Sequence, residues 1–499
     1  MIRNLKLTSI IFLISIIFLV QIYGVGNRLE GYFETGFGTN KENDIYEWNM
    51  WQPNTRFELK LTGNPIGEIE TYLKIYSYRN YFDQQEYDTS DHDQLEFLEG
   101  HIRVKKTSGA KGFETNFFFR EKRYWIGSPL LELTQDSGWD DKFGDNTQGI
   151  RTDIWGVYGF NLKLIMADFS GGGGEDGYVG RITRNFWKDR ITVGSSYLRK
   201  NIIVTEDEFD ENNINEDYNQ VFAGDFRIKI LKDIELFSEY AESKTKLDPL
   251  EWEDPDASPD AYKVELRNIK IGNFKTGIYN INLGYRDFGE NYTNWMGRSD
   301  SDQVGYNLNS YYLLPGLAVT FTFNYDYQTE HNEVEALYRP EMVFNTKEYF
   351  YYEMYIEFIK GFKSKLYFRD GEDYWFGEIY KHDDAFAELM VENTNGFLKT
   401  QFKIKDLDTQ YEKYIFGTET VINISDNFRL FSRYLNIREF GKSREAIFAQ
   451  LQYYPGWGTE LYLEYGNNYY GDSGLVDDED FVSGGNNENR IQLIFKVWF

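Results

Sequence analysis

The chain has 499 residues, a formal net charge of −28 at pH 7 and no cysteine, which excludes a disulfide framework, a thiolate metal site and a lipidated N-terminal cysteine. Its hydrophobic content is 41%, but aromatic residues alone make up 18% of the chain and only 9 residues are proline. A chain of this length exceeds one ordinary soluble domain.

The first predicted element is a secretory signal peptide at residues 1–24. Two basic residues and a short apolar run precede two small residues: Arg3 and Lys6, residues 10–20, and Gly24 and Gly26. The run fits the ~7–15 residues of a signal core better than the ~20 residues of a membrane-anchoring helix, which is the alternative. We expect cleavage after Gly24 or Gly26, and a transmembrane barrel domain at residues 27–499.

From residue 27 onward, short segments alternate between apolar and polar residues. In residues 319–327, for example, Val, Phe and Tyr share one face of a strand, and Thr, Asn and Asp share the other. Segments of about ten residues with this pattern are typical of transmembrane β-barrels. Soluble β-sandwiches and propellers are the competing interpretation.

The lengths of the connections favour the barrel. Even-numbered segments end in tight turns, as at residues 107–112 and 455–458, and odd-numbered segments end in long polar loops, as at residues 79–94 and 122–148. Such alternation is characteristic of outer-membrane barrels, with short periplasmic turns and long external loops. We therefore predict an all-β fold, a single large antiparallel transmembrane β-barrel of about 24 strands, within about 22 to 26.

The final segment predicts the closing strand of this barrel. Its alternate residues are apolar and it ends in an aromatic residue. The segment resembles the C-terminal signature of bacterial outer-membrane proteins, which implies recognition by the barrel-assembly machinery. The matching residues are Ile491, Leu493, Phe495, Val497 and Phe499, with Val497 where an aromatic residue is more usual.

Taken together, residues 27–499 resemble the outer-membrane porins as a class, through architecture more than through motifs. The first strand begins close to the predicted cleavage site, so we expect no plug domain. A wide barrel without a plug has a water-filled lumen that something must narrow. The resemblance to general porins implies that the third external loop, about residues 122–148, folds inward and forms the constriction. A cap packed on neighbouring loops is the alternative.

Charged residues of this loop, and inward-facing residues of the strands beside it, form the predicted constriction. Opposed charges would set a transverse field across the pore, although each residue could also be an ordinary lumen side chain paired for solvation. The residues are Glu132, Asp136, Asp140, Asp141, Asp145, Arg120, Lys122, Arg151 and Asp153. Loss of the two basic signal residues changes the formal net charge of −28 to about −30, so we expect a cation-selective porin for passive diffusion of small hydrophilic solutes or ions.

Two alternatives remain open for the function. A substrate-specific porin of the saccharide type could stack sugars on inward-facing aromatic side chains, and a structural or adhesive barrel would have an occluded lumen. Aromatic residues are also what the girdles of a barrel require. The candidate lumen aromatics are Phe118, Trp155, Tyr367, Phe431 and Tyr462.

The sequence contains no catalytic motif, and His92 and His382 lie in acidic external loops, so we expect no enzymatic activity and no cofactor. The acidic loops at residues 248–260 and 476–480 could hold Ca²⁺ or Mg²⁺ loosely, but a solvated loop is the simpler interpretation. The expected partners are outer-membrane lipid, the barrel-assembly machinery and small hydrophilic solutes or cations, without nucleic acid. The expected location is the bacterial outer membrane, and the oligomeric state stays open.

Overall fold

The structure is a computed structural model of the chain. It describes residues 28–42, 45–48, 54–66, 68–79, 96–119, 131, 133, 148–168, 175–205, 214–231, 233–246, 259–273, 275–295, 302–331, 346–375, 378–466, 475–477 and 491–498. The predicted signal peptide lies outside these residues and stays a prediction, as does the absence of a plug domain.

The described residues form one antiparallel sheet. Its strands are β1 (Arg28–Glu42), β2 (Ile45–Trp48), β3 (Asn54–Ile66), β4 (Ile69–Arg79), β5 (Glu96–Ser108), β6 (Lys111–Phe119), β7 (Gln148–Val157), β8 (Phe160–Asp168), β9 (Glu175–Phe186), β10 (Ile191–Thr205), β11 (Ile214–Lys229), β12 (Glu235–Lys246), β13 (Asp260–Asn273), β14 (Gly277–Phe288), β15 (Gln303–Leu314), β16 (Val319–Thr329), β17 (Thr346–Ile359), β18 (Phe362–Trp375), β19 (Glu378–Lys381), β20 (Asp384–Asn393), β21 (Gly396–Lys405), β22 (Lys413–Ser425), β23 (Phe428–Glu439), β24 (Lys442–Gly456), β25 (Thr459–Gly466) and β26 (Ile491–Trp498).

The sheet closes on itself, because β1 pairs with β26 from Tyr32 opposite Trp498 to Thr39 opposite Ile491. The two four-residue strands β2 and β19 only extend the upper ends of β1 and β18, which also pair with β3 and β20. The other 24 strands form the closed wall. A closed wall leaves no unpaired strand edge in lipid. The predicted all-β antiparallel barrel and its strand count are confirmed.

The connections alternate between short and long as the sequence predicts, with one difference. β23 and β24 are joined on the long-loop side by only two residues, Phe440 and Gly441. Both have positive φ angles, 50° and 73°, which is the backbone of a type I′ hairpin turn. Such a turn matches the twist of the two strands, so this hairpin needs no longer loop.

The two faces of the wall have the polarity that the alternation predicts. Leu463 and Leu493 are about half exposed on the outer face, at 51% and 49%, where lipid covers the barrel. Farther around the same face, Tyr262, Tyr285 and Tyr306 form a row with ring centroids 5.6 and 5.3 Å apart. Aromatic girdles of this kind mark the membrane interface of barrels. In the part of the chain that the structure describes, no helix has the length and hydropathy to span a membrane.

Candidate functional site

Two residues of the third external loop lie inside the barrel. Leu133 is fully buried and Leu131 is 3% exposed. Leu131 packs on Phe237, a residue of the lumen face of β12, and Leu133 belongs to an apolar cluster of lumen-facing residues that includes Phe118 and Phe288. Exposure of apolar side chains on the lumen face to water would be unfavourable, so Leu131 and Leu133 stabilise this part of the wall by shielding it from water.

Hydrogen bonds to buried side chains fix the backbone of Leu133. Its N–H donates to Oε2 of Glu239 at 3.1 Å, and its carbonyl accepts from the Tyr292 hydroxyl at 2.8 Å and from the Asn294 amide at 2.6 Å. All three partner side chains belong to residues with 0% exposure. Both backbone polar groups are therefore satisfied away from water, which a buried segment requires. We call Leu131, Leu133, Glu239, Tyr292 and Asn294 the Leu133 latch.

Tyr292 and Asn294 lie on a second inward-folded segment, which follows β14. Between them, the Thr293 N–H donates to Oγ of Ser243 at 3.1 Å, and its carbonyl accepts from the Asn219 amide at 3.0 Å. Ser243 is on β12 and Asn219 on β11, so this segment is hydrogen-bonded to the wall. Burial, with a smaller contribution from the charge of Glu239, raises the pKa of Tyr292 and keeps its hydroxyl a donor.

A second loop residue pair covers another part of the lumen wall. Leu475 and Val476, in a 3₁₀ helix at Leu475–Asp477, are 1% and 2% exposed. Val476 packs in a cluster with Leu435 of β23. A Cβ placed on Gly417 of β22 would lie 2.7 Å from Cγ of Leu475, so the glycine provides the space that Leu475 fills. We call these four residues, Leu475, Val476, Gly417 and Leu435, the Leu475 contact.

The structure places all five predicted lumen aromatics on the inner face of the wall, but in separate surroundings. Phe118 belongs to the cluster that contains Leu133, whereas Tyr367 and Phe431 pack against the cluster that contains Val476. Tyr367 also stacks on Phe386, with 4.6 Å between ring centroids.

The remaining two aromatics lie beside basic side chains. The Lys105 ammonium is 5.9 Å from the ring centroid of Trp155, and the Lys496 ammonium is 4.8 Å from that of Tyr462. A role for any of the five aromatics in binding a solute stays a prediction.

Of the predicted constriction, the structure describes Arg151 and Asp153. Nε of Arg151 lies 3.4 Å from the Asp153 carboxylate, and its Nη2 lies 3.6 Å from Glu114 on β6. The other members lie outside the described residues, and the role of the set stays a prediction. They are Arg120, Lys122, Glu132, Asp136, Asp140, Asp141 and Asp145.

Charges on the lumen face are paired between neighbouring strands or across one intervening strand. Nη1 of Arg181 lies 2.7 Å from Oδ2 of Asp225, and Nζ of Lys74 lies 3.0 Å from Oε1 of Glu58. Because basic side chains accompany the carboxylates, the acidic excess of the sequence does not become an acidic wall at these positions. Further pairs are Arg286–Asp326 at 3.2 Å, Lys365–Glu353 at 2.8 Å, Lys399–Glu419 at 2.9 Å and Lys496–Glu34 at 3.0 Å.

Sequence reasoning missed the partners that hold the loop residues. Glu239 lies between Phe237 and Ala241 on the lumen face of β12, and a carboxylate on a lumen face is not unusual by itself. Tyr292 and Asn294 are 159 and 161 residues away from Leu133 along the chain, a separation that no local pattern can bridge. A signal did exist for Leu475 and Val476, because they form an apolar pair next to the acidic run at residues 477–480.

No protein-family model matches the chain, and no curated protein matches it either. Solved structures do match. A cryo-EM structure of the E. coli P pilus tip assembly intermediate PapC-PapD-PapK-PapG matches with 10% identity and a TM-score of 0.57, covering 95% of this chain and 61% of the matched one. This chain thus spans about three fifths of that chain's length.

The siderophore receptors PirA from Pseudomonas aeruginosa and from Acinetobacter baumannii each match with 9% identity and a TM-score of 0.47, covering 95% of this chain and 81% of theirs. At sequence identities this low, the structural similarity shows only that the folds are alike. The chain is a multi-pass β-barrel of the bacterial outer membrane. This confirms the predicted location and the class-level resemblance to outer-membrane barrels.

The predicted passive, cation-selective porin is wrong. A solved structure that matches with a TM-score of 0.57 is a pilus-assembly intermediate and not a diffusion porin. The described lumen wall also carries paired charges of both signs, as at Arg181–Asp225 and Lys74–Glu58, whereas the predicted cation selectivity rested on an excess of acidic charge. Among the residues that the structure describes, no group of three or more His, Asp or Glu side chains could hold a metal ion.

Proposed function

We propose that this barrel is a gated outer-membrane transporter, in which external loop segments latched to the lumen wall keep the resting pore closed. The observation that carries the proposal is the fully buried Leu133, whose backbone binds Glu239, Tyr292 and Asn294. A gate needs one defined closed state, and side-chain-specific hydrogen bonds to a buried loop residue provide one.

The free energy that the hydrogen bonds of the Leu133 latch contribute is suitable for a gate. A hydrogen bond between neutral groups contributes about 1 kcal/mol net, and one to a charged group about 1.5–3 kcal/mol. Three such bonds to Leu133 therefore favour the closed form strongly, since each 1.4 kcal/mol changes a population tenfold. Opening then requires a solute or partner protein that binds the open form more tightly than the closed form.

We further propose the identity of the remaining partners. Hydrophilic solutes would be the cargo, and the barrel-assembly machinery would read the alternate residues of β26 that face outward, including Ile491 and Leu493. Phe499 of that pattern lies outside the described residues. The gate needs no enzymatic step and no resident cofactor.

Current through the refolded protein in a planar bilayer tests the gate. We expect little steady current from the unaltered protein, and frequent long openings from the double variant Tyr292→Phe, Asn294→Ala, which removes both donors to the Leu133 carbonyl. Asn309→Ala, at an exposed lumen position of β15, is the matched control and should behave like the unaltered protein. Stable, equal conductance of all three proteins would exclude a gate at this latch.

A further inference from the structure

A histidine on the long-loop side of the barrel lies between two aspartates. Nε2 of His331 is 2.8 Å from Oδ1 of Asp287, and Nδ1 is 3.0 Å from Oδ1 of Asp302. The backbone N–H of His331 also donates to Asp302 at 2.8 Å. The three side chains are between 19% and 29% exposed, so water screens them only in part.

The arrangement suits a charged imidazole ring. A neutral imidazole has one N–H donor and one lone pair, so it could donate to only one of two carboxylates, whereas the imidazolium donates to both. Burial lowers the pKa of His331, but the hydrogen bonds and charges of Asp302 and Asp287 outweigh it and raise the pKa above its ordinary value of 6.5.

The remaining titratable neighbours do not change this assignment. The Tyr285 hydroxyl donates to Oδ2 of Asp287 at 2.9 Å and lies 3.3 Å from the Tyr262 hydroxyl. Glu330 adds a further carboxylate next to His331 in the chain. These acidic and neutral groups favour the imidazolium or leave it unaffected.

The two aspartates lie at the two ends of the segment that carries Tyr292 and Asn294 of the Leu133 latch. Asp287 is at the end of β14, and Asp302 immediately precedes β15. Within this segment, the carbonyl of Gly289 accepts hydrogen bonds from the N–H groups of Tyr292 and Asp302, at 3.0 and 3.1 Å. Tyr292 in turn donates to the Leu133 carbonyl. A short chain of hydrogen bonds therefore joins His331 to the latch.

We propose that His331 is a proton-dependent clamp that regulates this gate: its imidazolium, bridging Asp287 and Asp302, holds the base of the Tyr292 segment and so favours the closed latch. The inference rests on the proposed gate and adds its regulation. Because the pKa of His331 is raised, the clamp is complete below about pH 6.5 and is lost as the pH rises through the raised value. The gate opens more readily in alkaline medium.

The absence of cysteine allows a direct test, since a single introduced thiol can be followed. Leu131→Cys places a thiol in the latch, and labelling by a membrane-impermeant maleimide measures how often the latch opens. Phe440→Cys, at a 67% exposed turn residue, corrects for the pH dependence of the thiol reaction. We expect the corrected rate to rise about two- to fivefold between about pH 6 and about pH 9, because partly exposed ion pairs have modest strength.

Adding His331→Gln should give the fast rate at both pH values. His382→Gln is the matched control, since His382 also lies between two aspartates, 3.2 Å from Asp373 and 3.7 Å from Asp406, but belongs to the β18–β20 connection. It should retain the pH dependence of the unaltered protein. Asp302→Asn, which weakens the same clamp, replaces His331→Gln if that variant does not fold.

The outcomes separate the clamp from the gate. Labelling of Leu131→Cys that is measurable but independent of pH, or a pH dependence that His382→Gln abolishes as fully as His331→Gln does, overturns the clamp and leaves the gate standing. Absence of labelling at every pH, even with Asn294→Ala added, overturns the gate and with it the clamp. A pH-dependent rate abolished only by His331→Gln or Asp302→Asn supports both.

Discussion

The Leu133 latch and the Leu475 contact attach loop residues to the lumen wall in different ways. Leu133 is held by three directional hydrogen bonds that all end on fully buried side chains. Leu475 and Val476 are held by apolar packing into a space that Gly417 leaves open. Hydrogen bonds fix one position and orientation, whereas the hydrophobic effect is non-directional.

This difference predicts different responses to damage. When one partner of a buried hydrogen bond is removed, the other is left unpaired and its full desolvation cost appears. When an apolar contact is altered, the surroundings can relax and recover part of the loss. The Leu133 latch should therefore release sharply, and the Leu475 contact gradually.

The largest effect is expected from Glu239→Ala, which leaves the buried N–H of Leu133 without an acceptor. We predict a loss of about 2–4 kcal/mol of latch stability. That corresponds to about 30- to 1000-fold faster labelling of Leu131→Cys. Glu239→Gln keeps an acceptor oxygen without the charge and should show a clearly smaller effect. Equal rates in the two variants would mean that the hydrogen bond does not hold the loop.

Gly417→Val should have an intermediate effect on the other contact. Its side chain would occupy the space of Leu475, and overpacking of this kind costs about 1–3 kcal/mol. A thiol at Val476, introduced by Val476→Cys, should become accessible about 5- to 150-fold more often. Gly224→Ala, where the nearest atom to an added Cβ is 4.0 Å away, is the control. Unchanged labelling in Gly417→Val would show that the loop pair is held elsewhere.

The smallest effect is expected from Tyr292→Phe, which removes one neutral donor but leaves Asn294 bound to the same carbonyl. The expected loss is about 0.5–1.5 kcal/mol, which corresponds to a roughly two- to twelvefold increase in labelling of Leu131→Cys. Labelling of Val476→Cys should not change, since it reports the other contact. A parallel increase at both thiols would indicate one cooperative closure instead of two separate attachments.

The period-two pattern predicted which side chains face lipid, because lipid and water impose opposite polarities on alternate residues. It placed Leu463 and Leu493 outside and Arg151 and Tyr462 inside. The alternation of connection lengths failed at Phe440 and Gly441, where a two-residue turn replaces an expected long loop. Local turn geometry determines the length of that connection, and the alternation of loop lengths carries no information about turn geometry.

The candidate site was less predictable. The resemblance to general porins implied an inward-folded third external loop, but the function inferred from the whole chain, a passive porin, was wrong. The buried carboxylate and the two donors come from separate strands and loops, and only the closed barrel brings them together. Contacts between residues so distant in sequence depend on the fold and not on local composition.

The pairing of β1 with β26 has a consequence for biogenesis. The wall becomes a cylinder only when the eight residues of β26 bond to both β1 and β25. Until β26 arrives, β1 and β25 both present open edges, which other chains could join. A chain that lacks β26 therefore cannot close the same cylinder, and its two open edges expose it to association with other chains.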